Sequence, residues 1–70
     1  MKLTPLEIKE DFIKLDSAMK LAGITFTGGH AKILIQNGEV LVNNEVCLQR
    51  GKKLHKNDTF SFENNGFIIV

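Results

Sequence analysis

At Gly38 the hydrophobic rhythm of this chain changes from that of a helix to that of a strand, with no linker between. At about 100° per residue, Ala31, Leu34 and Ile35 fall on one face of the preceding segment, and Gly29, Lys32 and Gln36 on another. Thr27 is placed to cap the free amides of the first helical turn, and Gly38 to take the left-handed conformation that ends the helix. Beyond Gly38 the period is two, with Val40 and Val42 on one side and Glu39 and Leu41 on the other. Asn43-Asn44 then offers a turn, because asparagine tolerates positive φ better than most residues. A helix that runs straight into a hairpin is therefore expected.

The flanking segments extend this pattern. Residues 1–11 are polar, acidic at Glu7, Glu10 and Asp11, and interrupted by Pro5; they read as an edge strand or an arm. Phe12-Ile13 is expected to anchor the entry to a first helix, in which Leu15, Ala18, Met19 and Ala22 recur at the spacing of a half-buried face. Asp16 suits the positive end of that helix and Gly23 terminates it. Lys14, Ser17 and Lys20 share its outward face, where lysines ordinarily do no more than solubilise. Ile24-Thr25-Phe26 bridges to the second helix, and Phe26 is expected to be buried in the corner. Glu45–Gln49 continues as strand, with Cys47 a small packed residue rather than a reactive thiol. Thr59–Glu63 alternates as a strand, Asn64-Asn65-Gly66 is a turn, and Phe67–Val70 closes the sheet.

Composition narrows the function classes. The chain has 70 residues, enough for one domain near the lower limit of self-sufficient cores. One cysteine excludes an intramolecular disulfide and suits a reducing cytoplasm. No apolar run approaches a membrane span, and no signal-peptide segment is evident. Net charge is only +1, which lacks the basic signature of many nucleic-acid binders, so the distribution of charge matters more than its sum.

That distribution is uneven. Arg50, Lys52, Lys53 and Lys56 cluster in Arg50-Gly51-Lys52-Lys53-Leu54-His55-Lys56-Asn57-Asp58, where they can neutralise phosphates, Arg50 through a two-pronged fork. At Thr27-Gly28-Gly29-His30 the first amides of the helix and two glycines suit close approach of a phosphate, although capping alone accounts for these residues equally well. The spacing from Gly23 to Gly28 superficially matches a nucleotide phosphate loop, but Gly29-His30 stands where Lys-Ser/Thr is required. His30, His55 and Cys47 have no metal-ligand spacing, and nothing pairs a nucleophile with a base. No enzyme, metal or cofactor is expected. The chain has neither tyrosine nor tryptophan and its phenylalanines read as structural, so base stacking on aromatic platforms gains little support. Ile33 falls on the outward side of the second helix, to be covered by the N-terminal arm or to contact a protein partner.

The Ala31-Lys32-x-Leu34-Ile35-x-x-Gly38 helix followed by x-Val40-x-Val42-Asn43 resembles the S-four RNA-binding domain, also called the alpha-L RNA-binding motif. Ile13-Lys14-Leu15-Asp16 with Leu21-Ala22-Gly23 resembles its first helix, and Arg50-Gly51-Lys52-Lys53-Leu54 with Asp58 its basic return. The Thr27-Gly28-Gly29 opening is similar to a small stand-alone branch of the family. The resemblance implies an α+β fold, two short angled helices on a small, mainly antiparallel sheet. It also implies that the outer helix faces and the adjoining loop converge to grip structured RNA, with ribosomal RNA the expected kind. Lys14, Lys20, Lys32, Arg50, Lys52 and Lys53 would then supply charge. Thr27, Gly28, Gly29 and His30 would supply helix-start contacts, and Gln36 a polar one. Three positions depart from the family pattern. Gly28 stands where many members have arginine, and Asn44 and Asn57 stand at turn positions that usually hold glycine. The asparagines preserve the turns; the missing arginine shifts the expected contact to the backbone amides.

Overall fold

In the computed structural model, which describes residues 2–70, a five-stranded sheet, a separate two-stranded ribbon and two helices share one core. The elements are β1 (Leu3–Leu6), β2 (Phe12–Lys14), α1 (Leu15–Leu21), α2 (Gly28–Gln36), β3 (Val40–Val42), β4 (Glu45–Val46), β5 (Lys53–His55), β6 (Thr59–Phe62) and β7 (Asn65–Ile69). The larger sheet has the order β1-β7-β6-β3-β4, antiparallel except where β1 runs parallel to β7. The ribbon is β2 antiparallel to β5. This is the α+β class expected from the sequence, with Leu3–Leu6 of the N-terminal segment serving as edge strand; Pro5 is tolerated there because an edge position can do without one ladder donor.

The local signals act as their chemistry dictates. Thr27 is extended (φ −136°, ψ 157°), and its hydroxyl accepts the His30 amide at 3.1 Å, capping α2. Gly23 and Gly38 end the two helices with φ of 79° and 76°, where a side chain would be strained. Asn43 and Asn44 both take positive φ (50° and 70°), the two-residue reversal whose twist matches the flanking strands. Leu15, Ala18 and Met19 from α1, Ala31 and Ile35 from α2, Val40, Leu54 and Ile69 from the strands are fully buried in one core. Phe60 and Phe67 stack within it, ring centres 5.0 Å apart.

Four local expectations are corrected. Only Glu45–Val46 of the segment after the hairpin is strand; Cys47–Gln49 leaves the ladder, and Cys47 is half-buried against the core. The reversal between β6 and β7 falls at Glu63-Asn64, with Glu63 at φ 55°, because Phe62 pairs with Asn65 and Gly66 is buried opposite Ser61 inside the sheet. Ile33 is not covered by the N-terminal segment, which is committed to β7, and it stays 58% exposed. Phe26 is not in the corner between the helices. Thr25 occupies the buried position, and Phe26 is 84% exposed.

Candidate nucleic-acid interface

The ribbon sets the geometry of the basic segment. Strands β2 and β5 pair Phe12 with His55, Ile13 with Leu54 and Lys14 with Lys53. Ile13 and Leu54 turn towards the core, which leaves Phe12, Lys14, Lys53 and His55 on the outer face. Lys14 and Lys53 thus stand directly opposite one another, a like-charge cross-strand pair that is unfavourable unless an anion relieves it. Lys53 is held in place: its Nζ lies 4.8 Å from the centre of the Phe12 ring, a cation–π contact, and His55 packs obliquely on the same ring at 6.1 Å.

The rest of the basic return is fixed by main-chain bonds to the start of α1, whose Ncap Lys14 contributes no side-chain cap. Instead, the Leu15 amide donates to the Lys52 carbonyl at 2.9 Å and the Asp16 amide to the Arg50 carbonyl at 3.1 Å. Free helix-start amides are thereby satisfied by the very residues whose side chains carry the charge. The Asp16 carboxylate accepts its neighbour's Ser17 amide at 2.8 Å. The one ion pair among the described residues is His55–Asp58, at 3.7 Å, so the Lys and Arg heads of this cluster are unpaired. An acidic counterweight is present on one side, where Glu7 and Glu10 line a shallow groove of about 430 Å³ with Lys9, Lys14 and Phe12.

Asp58 locks the return to the hairpin. Its carboxylate accepts the His55 amide at 2.7 Å and the Asn43 side-chain amide at 3.1 Å, while Asn43 accepts the Thr59 amide at 2.9 Å. The His55 amide bond is the main reason its pKa lies below the ordinary carboxylate value; partial burial opposes this, and Asn43, His55 and Lys52 add to it. A depressed folded-state pKa contributes stability that is present above the unfolded value and lost as pH falls through the folded one. Asp58→Ala is therefore expected to cost roughly 1–2 kcal/mol at neutral pH, with the difference from wild type shrinking below about pH 4; urea unfolding at both pH values measures it.

All eleven residues expected at the site are exposed: Lys14, Lys20, Thr27, Gly28, Gly29, His30, Lys32, Gln36, Arg50, Lys52 and Lys53. The fold brings Lys14, Arg50, Lys52 and Lys53 together through the ribbon and the α1 start. Lys20 lies in the last turn of α1, which packs on α2, the helix that carries the glycines, His30, Lys32 and Gln36. The glycines at the α2 start have open surroundings: a Cβ on Gly28 would meet nothing within 4 Å, and one on Gly29 only the Thr27 hydroxyl at 4.0 Å. Their absence of side chains is thus not demanded by packing.

A family model described as the S4 domain matches residues 6–70. The chain belongs to the S4 domain family. A Bacillus subtilis (strain 168) protein named "Probable ribosome maturation protein RlbA" is 39% identical to it over 66 residues, 94% of this chain and 93% of that protein. Among the described residues, no group of three or more His, Cys, Asp or Glu could hold a metal ion. No helix of the described residues is long and apolar enough to cross a membrane.

Proposed function

We propose that this S4 domain protein binds structured RNA, ribosomal RNA or its precursor, as a single-domain factor of the cytoplasm that catalyses no reaction. The observation that carries this reading is the gathering of Lys14, Arg50, Lys52 and Lys53 around the α1 start, with no carboxylate within ion-pair distance of them among the described residues. Family membership and the ribosome-maturation name of the Bacillus relative support it. Lys20, Lys32 and Gln36 extend the contact along the helices, and Thr27, Gly28, Gly29 and His30 offer helix-start amides and a polar side chain to a phosphate. Recognition of this kind reads shape and backbone rather than sequence.

Filter binding of the wild-type protein to deproteinised ribosomal RNA at rising salt tests the reading. With three or four phosphate contacts, affinity is expected to fall by about one to two decades between roughly 50 and 200 mM salt. Affinity that does not move with salt would count against it. Exposed Ile33 favours a second reading, a protein-interaction module within a ribosome-linked complex. Salt-insensitive capture of one protein, abolished by Ile33→Asp, would favour that reading instead.

A further inference from the structure

We infer that Phe26 is a stacking platform for an unpaired nucleobase, so that the interface reads a bulged or looped-out nucleotide as well as a phosphate backbone. This inference rests on the RNA-binding reading and adds to it a ligand chemistry, a flat base, which that reading lacks. Of the five phenylalanines, Phe60 and Phe67 are buried in the core, Phe62 packs partly against it, and Phe12 lies under Lys53. Phe26 alone among them is mostly exposed, at 84%.

The backbone on either side of Phe26 is held in place. On its N-terminal side the Gly23 amide bonds the Lys20 carbonyl at 3.1 Å, the Ile24 amide bonds the Met19 carbonyl at 3.0 Å, and Thr25 is buried. On its C-terminal side Thr27 is tied into α2 by its hydroxyl and by its carbonyl, which accepts the Ala31 amide at 3.2 Å. An exposed aromatic on a fixed backbone gives up little freedom on binding.

Charge selects the occupant. From Ser17 to Gly38 the sequence contains no aspartate or glutamate, while Lys20, Lys32 and His30 fall within it and are exposed. An aromatic face in a carboxylate-free, lysine-bearing stretch suits a polyanion whose bases can stack. The nucleotide must be unpaired, because a base inside an RNA duplex offers no free face to a side chain.

The test uses deproteinised ribosomal RNA with Phe26→Ala, Phe26→Leu and Phe26→Trp, each first checked for an unchanged thermal unfolding curve. Because the chain has no tryptophan or tyrosine, the Phe26→Trp indole is its sole reporter of that kind. Stacking predicts that the alanine and leucine variants both lose about tenfold in affinity with the salt slope unchanged. It also predicts that the tryptophan variant binds as tightly as wild type and that its emission is quenched by RNA. A leucine variant that binds like wild type would overturn the inference, as would tryptophan emission that brightens and shifts to the blue, since either means apolar packing without a base. Capture of a protein partner that the leucine variant retains would overturn it too. Salt-dependent RNA binding untouched by any Phe26 variant refutes stacking alone; wild-type protein with no salt-dependent RNA binding removes both readings.

Discussion

Replacing Arg50, Lys52 and Lys53 together by alanine is expected to lower affinity for ribosomal RNA by about one to two decades at low salt. The slope of log affinity against log salt should flatten by about two to three. The size follows from counterion release: each phosphate neutralised by a cation liberates close to one bound ion, and three such contacts vanish together. The fold should survive the change. The Arg50 and Lys52 groups that cap α1 are main-chain carbonyls, which alanine keeps, and the side chains removed are exposed. The Lys53–Phe12 contact is lost, at a cost of about 0.5–1 kcal/mol, together with the minor help that Lys52 gives in lowering the Asp58 pKa. Filter binding across a salt series is the measurement, with Lys2→Ala as comparison. If that substitution, outside the proposed interface, flattened the slope as much per charge removed, net charge rather than a built surface would be responsible.

Leu54→Ala is expected to destabilise the protein by roughly 2–5 kcal/mol, a large part of what a chain of this size possesses. Leu54 is fully buried and pairs with Ile13 at the centre of the ribbon. Shortening it leaves a void under the strand that presents Lys53 and that adjoins the cap of α1. The midpoint of thermal unfolding should drop by more than about 10 °C, read by circular dichroism. Leu48→Ala provides the contrast, because Leu48 is exposed and a change there should scarcely register. A small effect of Leu54→Ala would mean that the ribbon folds independently of the core.

Much of the fold was legible because its signals are local. Thr27, Gly23, Gly38 and the Asn43-Asn44 pair act through their own backbone preferences, and each does in the structure what its chemistry requires. What escaped depends on partners distant in sequence. Nothing in Phe12-Ile13-Lys14 announces that it will pair with Lys53-Leu54-His55, and only that pairing sets Lys14 against Lys53. The reversal at Glu63-Asn64 was hidden for a similar reason: Asn65-Gly66 is the stronger local turn, but Gly66 is claimed from both sides, by Ser61 and by Leu3. Phe26 was misplaced because hydrophobicity argues for burial wherever room exists, and only the packed chain shows that Thr25 has taken the room. The charges themselves were plain in the sequence; the strand pairing that sets two of them side by side was not.

The capping of α1 by the Arg50 and Lys52 carbonyls has a bearing on biosynthesis. A helix whose opening turn is completed by residues more than thirty positions downstream cannot be finished while those residues are still untranslated. During synthesis the Lys14–Lys53 pair should therefore be missing until Leu54 and its neighbours have emerged and docked, so the proposed interface is assembled only late in the making of the chain. Closure over so long a span also makes this a slower folder than a bare helical hairpin of equal length.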